Sequence, residues 1–311
     1  MKTQTQSTRL HQRLQWHDLD PCHLQQHIAT ARDEDLAGHG LRAPSAPPGD
    51  PTTHTLSVHC PGTQTARAHL NARQEITLCG SLLLPLILDA YTSPGTCRIT
   101  RHHADGEQLA AGTTIATIEA PTAPLLTAER TLLNYLQKLT GIATHTATYL
   151  RQLDGLPCAL LDTRKTTPGW RMLEKYATAT AGAWNHRLGL FDRVMFKDNH
   201  HAAQRGRHLA ALIRHARSTH PGLLIECEVD TLEQIAPVLD TNAVDIILLD
   251  NFSAAAMRAA LALIGNRAWT EASGGITLAN IRAIAELGPD FVSTGALTHQ
   301  APWADIGLDW A

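Results

Sequence analysis

The second half of the chain alternates between short apolar bursts and longer stretches of mixed polarity. The bursts fall at Cys158–Leu161, Val194–Phe196, Leu223–Val229, Val244–Leu249, Ala268–Ala272 and Phe291–Thr294. Their brevity and apolar content predict buried strands. The stretches Ala202–Ser218, Leu232–Leu239, Ser253–Ile264 and Leu278–Leu287 predict helices between them. Strand and helix alternating at this spacing imply parallel strands in a doubly wound or barrel fold. Six such strands fall short of a closed barrel, so an open, incomplete α/β barrel is expected.

The first half is patterned differently. A polar helix or two is predicted around Leu10–Ala31, and the Pro-, Ala- and Gly-rich Arg42–Thr53 reads as a loop. Moderate alternation over Thr55–Ile76 predicts one or two strands. The dense apolar run of Leu78–Tyr91 predicts a buried helix with Pro85 in its first turn. Asp105-Gly106 and Ala111-Gly112, set between β-branched runs in Cys97–Ala120, signal a hairpin. Thr127–Leu150 carries Leu132, Leu133, Leu136 and Leu139 on one helical face. Thr127 is placed to cap that helix and Glu129 to complement its dipole, which puts Arg130 in the first turn. A cation there is disfavoured unless it meets an anion or partner. The expected division is a mixed α+β domain over residues 1–127 and a barrel domain over 128–299. The tail 300–311 is expected to leave the barrel and pack on the first domain.

Each predicted strand hands over to a charge or to a small, glycine-bearing turn. In order these are Thr163-Arg164-Lys165, Lys197, Glu228, Asp250-Asn251, Ser273-Gly274-Gly275 and Thr294-Gly295-Ala296. Barrels build active sites from such strand ends. Arg164, Lys165, Arg171, Arg187 and Lys197, with His186 among them, bring several donors to one mouth, which suits a multiply anionic ligand. Glu228 and Asp250 suit a ribose diol or an oxygen-ligated magnesium ion. The two late glycine turns expose backbone N–H groups of the kind that hold a monophosphate. Cations, then carboxylates, then a phosphate cradle describe a site for a phosphorylated sugar and a second anionic substrate. A plain solvated basic face explains the charges less well, because they recur at strand ends rather than running together.

Composition narrows the picture. The 311 residues suffice for two domains with a full core. A formal net charge of −3 confines the basic character to the cluster, which argues against a general nucleic-acid binder. Six cysteines (Cys22, Cys60, Cys79, Cys97, Cys158, Cys227) lie scattered with no C-x-x-C pair. That points to a reduced cytoplasm rather than to a disulfide framework or a zinc knuckle. The polar N-terminus lacks the apolar core of a signal peptide. The longest apolar run, Leu82–Leu88, is broken by Pro85 and is far short of a membrane span.

Four ordered pieces carry a resemblance: Asp162-Thr163-Arg164-Lys165-Thr166-Thr167-Pro168-Gly169, Glu174-Lys175-Tyr176-Ala177, Asn185-His186-Arg187-Leu188-Gly189-Leu190 and Lys197-Asp198-Asn199-His200. With them the chain resembles the quinolinate phosphoribosyltransferases, the carboxylating nicotinate-nucleotide pyrophosphorylases, from about Ala72 to the C-terminus. Further matching pieces are Glu129-Arg130-Thr131-Leu132-Leu133-Asn134, Glu226-Cys227-Glu228-Val229, Leu249-Asp250-Asn251, Glu271-Ala272-Ser273-Gly274-Gly275-Ile276 and Thr294-Gly295-Ala296-Leu297-Thr298. The resemblance implies an N-terminal α/β sandwich domain, a C-terminal open α/β barrel and a homodimer whose sites each borrow Arg130 from the partner subunit. It implies that quinolinate and 5-phosphoribosyl 1-diphosphate are joined with decarboxylation. The products are nicotinate mononucleotide, pyrophosphate and carbon dioxide, in de novo NAD biosynthesis. By the same matching, Arg130, Arg164, Arg187 and Lys197 bind quinolinate, with His186 beside them, and Thr163 is a further substrate-binding position. Lys165, Glu228 and Asp250 face the sugar diphosphate as catalytic residues, the last two also serving Mg²⁺ held largely by the diphosphate. Ser273, Gly274, Gly275, Thr294, Gly295 and Ala296 cradle the 5′-phosphate. No organic cofactor, nucleic acid or membrane partner is implied.

The chain departs from the family pattern in two places. Ala181-Gly182-Ala183-Trp184 stands where the family usually has three glycines ahead of the Asn-His-Arg, so a stiffer or reshaped turn is expected. Near the N-terminus the acidic Asp33-Glu34-Asp35 and the later Gly49-Asp50-Pro51-Thr52 match the family poorly. Three other readings compete. A relative associated with molybdenum transport should lose some of the cations. An aldolase-like barrel using Lys165 or Lys197 as a Schiff base needs an apolar lysine pocket. A non-catalytic anion binder would release no pyrophosphate.

Overall fold

The structure is a computed structural model that describes residues 10–43, 46–59, 65–197 and 209–311. Contacts divide the chain into two compact units, Leu14–Thr144 with Pro302–Ala311, and residues 10–13 with His145–Ala301. The division falls at Thr144, inside a long helix, and not at the 127/128 junction expected from sequence.

In the first unit, helix α1 (Pro21–Ala37) opens on Asp20, whose side chain accepts from the Cys22 N–H at 3.0 Å, with Pro21 in the first turn. It starts later than the expected Leu10–Ala31 because this Asp-Pro pair sets the helix start. A second Asp-Pro pair does the same. Asp50 accepts from the N–H groups of Thr52 and Thr53 at 3.0 and 3.1 Å and opens α2 (Pro51–His59). The helix overturns the expected loop to Thr53 and strand from Thr55. A side-chain cap with proline at the first position outweighs weak alternation among threonines. Then come β1 (Thr65–Ala72), β2 (Ile76–Thr77), α3 (Leu84–Tyr91) with Pro85 in its first turn, β3 (Arg98–Arg101), β4 (Gln108–Leu109) and β5 (Thr114–Pro121). β5 pairs antiparallel with both β1 and β3, while β4 leaves the hairpin to pair with β2.

Helix α4 (Thr122–Gln152) follows β5 at once and buries Leu125, Leu132, Leu136 and Leu139. It begins five residues before Thr127, since Pro124 is tolerated within a first turn. Thr127 therefore does not cap the helix. Its hydroxyl donates to the Ala123 carbonyl at 3.1 Å and to Asp50 at 3.0 Å. Arg130 lies beyond the first turn, so the expected clash with the helix dipole does not arise there.

The second unit is a parallel sheet with crossover helices. Its elements are β6 (Ala159–Leu161), α5 (Arg171–Thr180), β7 (Val194–Phe196), α6 (Leu209–Thr219), β8 (Ile225–Val229), α7 (Ile235–Leu239), β9 (Ile246–Asp250), α8 (Ala254–Ile264), β10 (Trp269–Ser273), α9 (Ile281–Ala285), β11 (Phe291–Ser293) and α10 (Ala296–His299). Residues 202–208 of the expected Ala202–Ser218 helix lie outside the described residues. The strand order is β6-β11-β10-β9-β8-β7. β6 and β7 are not paired, so the barrel is open between them. Trp184 adds a single parallel bridge to Leu161, and Asn185 a bridge to Gln12.

Alternate strand residues divide the labour. Leu160, Cys227, Val229, Ile247, Leu249, Ala272 and Val292 pack outward against Ile213, Ile235, Met257, Ile281 and Leu297. The inward set mixes apolar residues with Glu226, Glu228, Asp250, Glu271, Ser273 and Ser293, more polar groups than a purely structural barrel would enclose. The final strand, β12 (Ile306–Trp310), pairs antiparallel with β1 and completes the first unit's sheet, in the order β12-β1-β5-β3. No helix among the described residues is long and apolar enough to cross a membrane.

Candidate active site

The inward strand residues and the loops after them line a cavity of about 440 Å³. Thr163, Arg164 and Lys165 come from the loop after β6, and His186 and Arg187 from the turn after α5. Met195 and Lys197 come from β7 and its end, Glu228 from β8, and Leu248 and Asp250 from β9. Glu271, Ser273 and Gly274 come from β10 and its end, and Ser293 from β11.

One buried carboxylate sets the two loops that carry the arginines. Asp162 Oδ1 accepts from Lys175 Nζ at 2.5 Å and from the His186 N–H at 2.8 Å. Its Oδ2 accepts from the Thr178 hydroxyl at 3.0 Å and from Asn185 Nδ2 at 2.7 Å. Lys175 Nζ also donates to the His186 carbonyl at 3.1 Å. Burial disfavours the Lys175 ammonium and lowers its pKa, with Asp162 opposing. The turn between α5 and His186 needs a positive φ only at Gly182, at +109°, while Ala181 keeps ordinary helical backbone. Ala183 is fully buried in the barrel's outer core. The two alanines therefore bring no strain, contrary to the expected disturbance.

Beneath the cavity the floor is ionic. His186 Nδ1 accepts from the Arg187 N–H at 2.7 Å, which leaves the ring proton on Nε2, 3.2 Å from Glu226. Arg193 Nη1 donates to Glu226 at 2.8 Å and Nη2 to the Leu10 carbonyl at 3.0 Å. His186 with Arg193 holds Glu226 ionised, well below the usual carboxylate range despite burial. Glu271 lies 3.6 Å from His186 Nε2. His11 stacks edge-on against Phe291, 4.5 Å between ring centroids, and burial holds it neutral.

The rim is cationic. Among the described residues neither Arg164 nor Arg187 has an ion-pair partner, and Arg164 Nε is buried without a hydrogen bond. Burial and then the nearby Arg164 lower the Arg187 pKa. Such crowding of like charge is relieved by a bound anion. Lys197 Nζ is 2.7 Å from Glu228 Oε2, and Asn251 Nδ2 donates to Asp250 at 2.8 Å. Glu228 and Asp250 offer oxygen only, on one cavity wall, which fits a magnesium ion shared with a diphosphate. Gly274 has φ +85°, and a Cβ there would meet the Asn251 backbone N at 2.8 Å, so no other residue fits. Gly295 abuts the Lys165 side chain, and the Thr298 hydroxyl donates to the Lys165 carbonyl at 2.8 Å.

The structure thus gathers Thr163, Arg164, Lys165, His186, Arg187, Lys197, Glu228, Asp250, Ser273 and Gly274 around one cavity. Gly275, Thr294, Gly295 and Ala296 adjoin these loops without lining it. Arg130 is exposed and belongs to the other unit. Residues 198–200 of the Lys197–His200 piece lie outside the described residues. Sequence reasoning missed Glu226, Glu271, Arg193, Met195, Leu248 and Ser293. Strand alternation held the signal, since Glu226 shares a face with Glu228 and Glu271 with Ser273.

Residues 50–140 match the family model for the quinolinate phosphoribosyl transferase N-terminal domain, and residues 142–309 that for its C-terminal domain. The probable nicotinate-nucleotide pyrophosphorylase (carboxylating) of Bacillus subtilis is 38% identical over 264 residues, 84% of this chain and 88% of that protein. The nicotinate-nucleotide pyrophosphorylase (carboxylating) of Mycobacterium leprae is 38% identical over 258 residues, 82% of this chain and 90% of that protein. Among solved structures, the nicotinate-nucleotide pyrophosphorylase of Francisella tularensis aligns with a TM-score of 0.85 at 29% identity, over 97% of this chain and all of that one. That of Ehrlichia chaffeensis aligns with a TM-score of 0.82 at 31% identity, over 92% and 98%. With an open barrel, this cationic rim and a match to both domains of the family, the chain belongs to the quinolinate phosphoribosyltransferases.

Proposed function

We infer that the protein is a nicotinate-nucleotide diphosphorylase (carboxylating). It transfers the phosphoribosyl group of 5-phosphoribosyl 1-diphosphate to quinolinate and releases pyrophosphate and carbon dioxide, forming nicotinate mononucleotide for NAD synthesis. The observation that carries this is the pair Arg164 and Arg187, turned to one cavity without an ion-pair partner among the described residues, while Glu228 and Asp250 line the same wall.

In this reading Arg164, Arg187 and Lys197 hold the quinolinate carboxylates, with Thr163 and His186 beside them. Lys165 neutralises the diphosphate. The turns Ser273-Gly274-Gly275 and Thr294-Gly295-Ala296 receive the 5′-phosphate, chiefly through the glycines' backbone N–H groups, since the Thr294 and Ala296 N–H groups are given to the Leu161 carbonyl and the Thr294 hydroxyl. As pyrophosphate departs, Glu228 and Asp250 stabilise the electron-poor sugar carbon. Mg²⁺, held by the same two carboxylates and the diphosphate, would neutralise charge on the leaving group. The ribosylated ring nitrogen is cationic and accepts the electron pair left when carbon dioxide leaves. The reading further includes a homodimer in which the partner's Arg130 completes each site, and a reducing, cytoplasmic setting, in keeping with the free thiols of Cys22, Cys79, Cys97, Cys158 and Cys227.

The test is product formation from quinolinate, 5-phosphoribosyl 1-diphosphate and Mg²⁺, with nicotinate as control substrate. Nicotinate mononucleotide and pyrophosphate in equal amounts are expected from quinolinate, with little from nicotinate. Equal turnover of the two acids would overturn the reading.

A further inference from the structure

We propose that Glu271 is the acid that protonates the pyridine carbon from which carbon dioxide leaves. The proposal rests on the reaction assigned above, which replaces a carbon–carboxylate bond with a carbon–hydrogen bond and so needs a proton donor at the ring.

Few groups on the cavity wall can supply that proton. The guanidinium groups of Arg164 and Arg187 do not give up protons. Lys197 is tied to Glu228, and Lys165 is exposed at the rim beside Gly295. Glu228 and Asp250 act as acceptors, from Lys197 and Asn251. His186 turns its Nε2–H down to Glu226, and its Nδ1 is occupied by the Arg187 N–H.

Glu271 differs from all of these. It lines the cavity, is fully buried, and neither of its oxygens is hydrogen-bonded among the described residues. The groups facing it are His186 from the turn after α5, Glu226 on β8, Arg193 ahead of β7, Ser293 on β11 and the Cys158 thiol ahead of β6. The hydrogen bonds assign the proton. Glu226 and Glu271 both face Arg193 and His186. Arg193 and Nε2–H both reach Glu226 first, at 2.8 and 3.2 Å. A buried carboxylate with no hydrogen bond and no cation in hydrogen-bond reach is favoured in its protonated form, so Glu271 keeps a proton while Glu226 is the ionised partner. In agreement, burial and then Glu226 push Glu271 up to about 7, against His186, the Ser293 hydroxyl and Arg193.

The bond from the ring carbon to its carboxylate breaks, carbon dioxide leaves, and the electron pair stays on the carbon beside the cationic nitrogen. The O–H bond of Glu271 then breaks, its proton forms the new C–H bond, and the carboxylate left behind faces His186 Nε2–H. Solvent restores the proton between turnovers.

Single-turnover formation of nicotinate mononucleotide is measured from pH 5.5 to 9 in the wild type, Glu271→Gln and Glu271→Asp, with quinolinate affinity by calorimetry. The acid form is the active one, so the wild-type rate should fall as pH rises through about 7. Glu271→Gln should lose on the order of 100-fold in rate and show no such fall, with quinolinate affinity kept within a few-fold. Glu271→Asp should recover part of the rate together with the pH dependence. A Glu271→Gln rate within threefold of wild type, or an unchanged pH profile, overturns the proposal. Should Glu271→Gln fail to bind quinolinate, the wild-type profile decides, since a rate flat between pH 6 and 8.5 overturns it. A wild type that forms no product instead refutes the reaction assignment.

Discussion

Arg187 shows most directly what the site demands of one residue. It is buried beside Arg164 with no ion-pair partner among the described residues, a costly arrangement that Glu226 and Asp192 offset at a distance and a bound anion would relieve further. Arg187→Ala removes the repulsion along with the ligand contact, so the free enzyme should fold at least as well as wild type. Quinolinate binding should weaken by about 2–5 kcal/mol, the range for losing one partner of a buried charge pair. Titration calorimetry reads this directly, and unchanged affinity would remove Arg187 from the substrate site. Glu228 is less simple than its position at a strand end implies. Its ion pair with Lys197 joins the carboxylate wall to the cationic rim, so substitutions there disturb both halves of the site.

At the scale of elements, loop positions depend on buried groups that no local pattern reveals. Asp162 directly follows β6 and ties down α5 and the His186 turn through four donors. Asp162→Ala leaves the Lys175 ammonium buried without its counter-charge, and should cost about 3–5 kcal/mol in urea unfolding. A loss below about 1 kcal/mol would show that the turn is held by packing alone. The barrel strands were legible because burial on both sides makes them short and apolar, and the strand-end residues followed from them. The pair Asp50-Pro51 fell in a segment expected to be a loop, and the threonines after it suggested a strand, so the helix start stayed hidden. The start of α4 was displaced for a related reason, since Thr127 has the chemistry of a cap but donates within an established helix. The floor of the site was not legible. Glu226, Glu271 and Arg193 converge from β8, β10 and the segment before β7, a grouping set by register and tertiary closure rather than by sequence spacing.

For the whole molecule, each unit is assembled from separate stretches of chain. Residues 10–13 join the barrel unit, and β12 returns to the sheet of the other. Arg130 belongs to the unit without the cavity and is exposed on α4, so in one chain it is not part of the lining. If the partner's Arg130 completes each site, Arg130→Ala and Lys197→Ala chains should each be nearly inactive alone. Mixed as heterodimers they restore one intact site, because one barrel has its own Lys197 and receives Arg130 from its partner, while the other site loses both. Random pairing makes about half of the dimers mixed, each with one good site of two. Roughly a quarter of wild-type activity should therefore return, provided that the sites act independently. Subunit exchange is verified by differently tagged chains. Confirmed exchange with no returning activity would show that Arg130 does not act across an interface, and recovery well above a quarter would show that the sites are coupled.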